Sequence, residues 1–119
     1  MTTSGTLDLT AAADMNLSGS FSQAGGGSVV TSADISTDNA DITFADDVRL
    51  RHAVSFDTGA GAGNLTFGMT LDGTTDCQED LTIAVGAGNA LFQDAVGETT
   101  GLGALQIDSA TNIQFDSSL

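Results

Sequence analysis

The side chains best suited to chemistry are carboxylates, which cluster in two places. Asp46 and Asp47 are adjacent, and a second acidic group consists of Asp72, Asp76, Glu79 and Asp80. Calcium takes oxygen ligands from Asp, Glu and backbone carbonyls, so the second group is a candidate calcium site. No Asp-x-Asp-x-Asp-Gly loop and no glycine-rich aspartate nonapeptide is present. The alternative interpretation is a solvated, solubilising surface, and no other cofactor is expected.

The same carboxylates could serve as acid and base on a glycosidic bond, as in β-helical polysaccharide enzymes. Those enzymes need a longer helix, and their clefts usually hold basic or aromatic residues that grip the sugar. This chain has no Trp or Tyr, and its basic residues are Arg49 and Arg51. We therefore expect a protein that is not an enzyme.

His52 is the only histidine and Cys77 the only cysteine. A nucleophilic pair of His52 with Ser55 or Cys77 would need a geometry that the sequence does not define. A single histidine has no second histidine to bind zinc with, so we expect His52 at a corner or on the outside. Cys77 has no partner for an intrachain disulfide and is either a free surface thiol or a shielded one.

Asparagine recurs just before apolar residues, at Asn16, Asn64, Asn89 and Asn112. Asn tolerates left-handed backbone and bonds its own chain in turns. If the segments stack, these residues predict structural turns or an asparagine ladder rather than a ligand site.

The amino-acid composition restricts the kinds of partner that the chain can bind. The chain of 119 residues has 16 acidic and 2 basic residues, a net charge of -14 and a pI near 4.1. Phosphates of nucleic acid and anionic membrane surfaces would be repelled. Hydrophobic residues make up 40% and alternate with polar ones, which indicates a folded domain rather than disorder. No run approaches the roughly 20 apolar residues that span a bilayer, and the N-terminus lacks signal-peptide features. If exported, the chain is expected to be a piece of a longer protein.

Short alternating segments separated by Gly, Asp and Asn corners predict an all-β chain. Its apolar residues align in two columns at intervals of about 22–27 residues, within the range of solenoid repeats. The first column is Leu17, Ile42, Leu65, Leu91 and Ile113. The second column is Leu9, Ile35, Phe56, Ile83 and Ile107. A third short run in each period (48–50, 69–71 and 95–96) supplies a third side.

Three strands and three corners per period predict a parallel β-helix of four to five coils, forming one domain over residues 1–119. Stacked coils bury apolar columns that a single coil would leave exposed. An antiparallel sandwich of short strands is the main alternative, but it would not require matched columns at a fixed interval.

Several runs resemble the repeats of filamentous-haemagglutinin-like exoproteins: Gly5-Thr6-Leu7-Asp8-Leu9-Thr10, Asn39-Ala40-Asp41-Ile42-Thr43-Phe44, Gly61-Ala62-Gly63-Asn64-Leu65-Thr66-Phe67 and Val96-Gly97-Glu98-Thr99-Thr100-Gly101-Leu102-Gly103-Ala104-Leu105. These are large bacterial surface adhesins, secreted across the outer membrane, with shafts that are right-handed parallel β-helices. The likeness covers nearly the whole chain and is one of repeat style. It implies a right-handed solenoid, a secreted or cell-surface location and a place in a longer shaft.

The first functional hypothesis is a structural or adhesive segment that self-associates head to tail, or packs on neighbouring repeats, with Gln106 to Phe115 docking on the first coil of the next copy. The alternative is a module that binds carbohydrate or a host protein through one solvent face and the 72–80 loop, since long loops often carry recognition. A polysaccharide-acting enzyme comes third.

Overall fold

The structure, a computed structural model, describes residues 5–9, 14–75, 78–98 and 100–116. Within these ranges the strands are β1 (Leu7–Leu9), β2 (Met15–Leu17), β3 (Phe21–Gln23), β4 (Val29–Thr31), β5 (Ile35–Thr37), β6 (Ile42–Phe44), β7 (Val48–Leu50), β8 (Val54–Asp57), β9 (Leu65–Phe67), β10 (Leu71–Gly73), β11 (Leu81–Ala84), β12 (Asn89–Phe92), β13 (Leu105–Ser109) and β14 (Asn112–Phe115). The described residues form no helix, and so none that is long and apolar enough to cross a membrane.

Each strand from β1 to β9 pairs with the strand three places further along the chain, so the chain winds into a β-solenoid with three strands per coil. The first sheet has the order β1-β4-β7-β10, the second β13-β11-β8-β5-β2 and the third β14-β12-β9-β6-β3. All these pairings are parallel. A bridge between Leu71 and Val96 adds a fifth, incomplete coil that continues through β13 and β14. The predicted parallel β-helix is confirmed.

Coil length varies more than the predicted 22–27 residues. The shortest interval between paired residues is 19, from Val29 to Val48, and the longest is 27, from Phe56 to Ile83. The added residues lie in corners outside the paired strands, so the stacking register is kept. The strand pairs in the third sheet contain no register shift.

Within most strands, buried and more exposed residues alternate, as a strand with one face on a core requires. The buried set is aliphatic and aromatic, and it forms one continuous cluster through the coils. Its centre is a column of phenylalanines in the third sheet. Phe44 stacks on Phe67 with ring centroids 5.4 Å apart, Phe67 on Phe92 at 5.3 Å, and Phe92 on Phe115 at 4.7 Å. Their interplanar angles are 10–11°, because in-register parallel strands place equivalent side chains directly above one another.

The predicted columns are wrong at three positions, Leu9, Leu17 and Leu91. In the second sheet the column is Met15, Ile35, Phe56, Ile83 and Ile107, so Met15 takes the place predicted for Leu9. Leu9 pairs with Thr31 in the first sheet. Short strands with similar patterns follow one another closely in the first coil, and sequence spacing alone assigned the wrong one.

The third-sheet column is Phe21, Ile42, Leu65, Ala90 and Ile113. Leu17, predicted here, lies in β2 and pairs with Thr37. Leu91, also predicted here, pairs with Thr66 on the half-exposed outer face. The prediction for β12 is therefore out by one residue, which moves a strand side chain to the opposite face.

Candidate functional site

Glu79, a member of the second acidic group, forms hydrogen bonds within the corner in which it lies. Glu79 is buried, and its Oε1 accepts hydrogen bonds from the Thr74 hydroxyl at 2.8 Å and the Thr75 backbone N–H at 2.9 Å. Burial opposes ionisation, but these hydrogen bonds outweigh it and lower the pKa of Glu79 below its ordinary value. Its carboxylate therefore holds the turn that leads from β10 to β11.

The structure places the other described members of that group, Asp72 and Asp80, in different surroundings. Asp72 lies inside β10 rather than in a loop, is buried, and is in register with Arg49 of β7. Asp80 turns to the next coil, where its Oδ1 accepts from the Ala104 N–H at 2.8 Å. Asp76 and Cys77 lie outside the described residues. Over the part of the chain that the structure describes, no group of three His, Cys, Asp or Glu residues is arranged to hold a metal.

Asp46 and Asp47 also hold neighbouring coils together. Asp46 Oδ2 accepts from the buried Gln23 side chain and from the Gly26 N–H, both at 2.9 Å. Asp47 Oδ1 accepts from the Thr70 hydroxyl at 2.9 Å. Both carboxylates thus bridge one coil to another.

The Asp47 bond is one of a recurring type that we do not predict from the sequence, whereas Asp46 bonds back to the preceding coil. A carboxylate just before a strand accepts a hydrogen bond from a backbone N–H one coil further along. The pairs are Asp14 with Asp34, Asp34 with Ser55, Asp41 with Asn64, and Asp80 with Ala104, at 2.8–2.9 Å. The signal in the sequence is an aspartate that recurs directly before apolar strands. Some of the aspartates therefore link neighbouring coils through hydrogen bonds.

The predicted asparagine ladder exists at one corner of the third sheet. Asn64 Oδ1 accepts from the Asn89 N–H at 2.8 Å, and Asn89 Oδ1 accepts from Asn112 Nδ2 at 3.1 Å. Asp41 continues the column below Asn64. Asn16 is not a member, because it lies in the middle of β2 and pairs with Ser36.

The structure does not pair His52 with Ser55 as a nucleophile and its base. His52 is exposed at the corner after β7, as expected. Ser55 lies in β8, and its backbone N–H donates to Asp34. Among the described residues no hydrogen bond joins His52 to Ser55. The neighbouring Arg51 instead reaches Asp8 of the first coil at 3.2 Å, and both side chains are about half exposed, at 45% and 49%.

A shallow depression lies on the third sheet at its C-terminal end. Its volume is about 410 Å³, and it is lined by Asn89, Ala90, Leu91, Asn112, Ile113 and Gln114. Carboxamides and exposed aliphatic carbon dominate this lining, with no charged group. On a chain with net charge -14, it is a neutral polar surface.

The last coil leaves part of the core open. Ile113 is 44% exposed, whereas Ile42 and Leu65 in the same column are fully buried. Leu105, Ile107 and Phe115 are only partly buried. No described strand pairs with the outer edges of β13 and β14. At the opposite end, β1, β2 and β3 are likewise edge strands.

Comparison with known proteins finds no match to any family model, any curated protein or any solved structure.

Proposed function

We propose that this chain is a structural and adhesive β-solenoid segment of a bacterial surface protein or extracellular filament, with terminal coils that stack end to end. The observation that carries the proposal is the open core at the last coil, where Ile113 is 44% exposed. A sheet edge with unpaired N–H and C=O groups beside exposed apolar side chains is a template for a further strand. One more coil would bury both features.

The two ends present different surfaces, which favours linear growth. Ile107, Ile113 and Phe115 lie at one end, and Leu7 and Met15 are half-buried at the other. A contact between unlike surfaces is heterologous, and such contacts build open filaments unless the rotation closes a ring. The extracellular placement is supported by the repeat style alone.

Net charge opposes stacking at long range. Two copies each carrying -14 repel one another, and at physiological ionic strength the screening length is about 8 Å. Association should therefore be weak at low salt and strengthen as salt is added.

Sedimentation velocity over a concentration series, at low salt and at about 0.15 M salt, tests the proposal. The wild type should form larger species as concentration and salt rise. Ile113→Asp, which places a charge in the open core, should prevent this. Thr66→Asp is the matched control, because it adds the same charge to the outer face of a middle coil, and it should still associate. A wild type that stays monomeric under all conditions would refute the proposal.

The neutral depression on the third sheet favours a second candidate, a module that binds carbohydrate or a host protein. Carboxamides of Asn89 and Gln114 can donate to and accept from sugar hydroxyls. The 72–80 loop is a weaker candidate, since Asp72 is in a strand and Glu79 holds its own turn. Reproducible glycan-array hits that are lost in Gln114→Ala and kept in Glu98→Ala would support this candidate. An array without hits would count against its carbohydrate form.

A further inference from the structure

We propose that the end-to-end contact has one register, in which the first coil of a second copy continues the three sheets as though it were the next coil of the same chain. In this register Ile107 lies against Met15 of the second copy, and Ile113 lies against its Phe21. The inference rests on the proposed stacking and specifies its geometry. The occupant of the open end is thus another copy of this chain, bound through β1, β2 and β3.

The strand pairing within the chain could continue unchanged across the contact between two copies. Third-sheet strands stack without a register shift from β3 to β14. The second sheet has a shift only between Ile83 and Ala84, where Ala84 pairs with Ser109. Since the same backbone groups are offered at both ends, the simplest continuation places each edge strand on its counterpart in the same sheet.

Apolar residues then meet apolar residues in each sheet. Val96, the last paired residue of the first sheet, would lie against Leu7. Ile107 and Ile113 would lie against Met15 and Phe21 respectively. These side chains are the end members of columns that are buried in the middle coils, so the contact would complete those columns.

Phe115 would lie against Gln23 of the second copy. The chain already contains the matching arrangement, because Phe44 is in register with Gln23 from the other side. The Gln23 amide is held by Asp46 and Gly27 within its own chain. Gln23 is already fully buried within its own chain, so β3 would offer the second copy its backbone edge at this position.

Charge repulsion and burial favour the proposed register over registers shifted by two residues or by one. In the proposed register Asp14 faces Gln106, and Asn16 faces Ser109, the residue that pairs with Ala84, so Asp14 meets no carboxylate. Sliding β13 by two residues along β2 would place Asp108 over Asp14, and like charges directly opposite are destabilising. Sliding by one residue would turn the apolar faces outward.

The ladder of asparagines gives the same register. Asn64 Oδ1 accepts from the N–H of the residue above it in the column. Asn112 ends this column, and the corresponding residue of the first coil is Ser20, which precedes β3. The Asn112 side chain can therefore accept from the Ser20 N–H of the second copy and extend the ladder by one step.

Disulfide trapping tests the register. Ser22→Cys and Gln114→Cys are made in separate chains that also carry Cys77→Ser, then mixed under mild oxidation. Both positions are exposed outer-face residues of the third sheet, and in the proposed register they are direct neighbours about 4.8 Å apart, within the Cα separation of a disulfide. The control mixes Gln114→Cys with Asn16→Cys, which is equally exposed but lies in the second sheet.

The expected result is about tenfold more mixed covalent dimer for the 22 and 114 pair than for the 16 and 114 pair, because a disulfide tolerates little extra separation. Equal yields, in chains that sediment as larger species, would overturn the register and leave stacking intact. Chains that neither crosslink nor associate in sedimentation would overturn the register and the proposed function together.

Discussion

The side-chain Oδ1 of Asn64 accepts a 2.8 Å hydrogen bond from the backbone N–H of Asn89, one coil further along the solenoid. Asp41 makes the same bond to the Asn64 N–H. A corner residue therefore binds the backbone of the next coil, so it fixes how one coil sits on another. These cross-coil hydrogen bonds, together with the phenylalanine column inside the coils, account for the register of the third sheet, which has no shift.

Asn64→Ala should lower the free energy of unfolding by about 1 kcal/mol, the usual net value of one hydrogen bond. The Asn89 N–H loses its acceptor at a partly exposed corner. Asn16→Ala is the control, since Asn16 is exposed in mid-strand outside the ladder, and it should change stability by less than about 0.5 kcal/mol. Urea denaturation followed by circular dichroism compares them, and equal losses would contradict the ladder.

Phe67→Ala should be among the most destabilising substitutions, at about 3–5 kcal/mol. Phe67 is 1% exposed and has three ring neighbours, Phe44, Phe56 and Phe92. Phe115→Ala should cost less, because Phe115 stacks on one ring only and lies in the open last coil. The same urea titration applies. A loss at Phe115 as large as at Phe67 would mean that the last coil is as well packed as the middle ones.

Gly88→Ala should destabilise the corner between β11 and β12 by about 1–3 kcal/mol or more. A Cβ atom at Gly88 would lie 1.9 Å from the Gly63 carbonyl oxygen of the coil below, so the two coils would have to move apart. Gly19→Ala is the matched control, because its Cβ would meet nothing within 4 Å. We expect that variant to be as stable as the wild type or slightly more so. A neutral Gly88→Ala, measured by thermal unfolding, would show that coils do not touch there.

The pH dependence of stability should carry a contribution from Glu79. Its pKa is lowered in the folded chain, so its stabilisation is present above the unfolded pKa, about 4.3. That stabilisation is lost as the pH falls through the folded value. Glu79→Gln should therefore flatten the decline in unfolding free energy below about pH 4, while the other carboxylates contribute equally to both proteins. Superimposable pH profiles would contradict the assignment.

The sequence was sufficient to predict the winding of the chain. Period-2 alternation that recurs at intervals of 19–27 residues predicts three strands per coil. Ile42 and Leu65 are predicted correctly because each follows an Asp or Asn and precedes a Phe by two residues. All the strands except β13 are three or four residues long, and the errors at Leu9, Leu17 and Leu91 each exchange the correct residue for an apolar residue close to it in the sequence. Such strands offer too few apolar positions to fix a register, and tertiary pairing decides it.

The role of the acidic residues was harder to predict. Asp46 and Glu79 look alike in sequence, yet one bridges two coils and the other holds its own turn. A cross-coil bond needs the corner conformation as well as the interval, and corners here differ in length. The sequence predicts a candidate calcium site from proximity alone, whereas Glu79 accepts hydrogen bonds from its own turn and Asp80 accepts one from the next coil.

Electron microscopy of the purified chain, at high concentration in about 0.15 M salt, tests end-to-end stacking most directly. The molecule measures 32 × 27 × 24 Å, so we expect filaments about one molecule wide. Their diffraction should show a repeat of about 4.7–4.9 Å along the filament axis, because strands would lie across that axis. Isolated single particles at every concentration, or filaments without this repeat along their axis, would contradict the account.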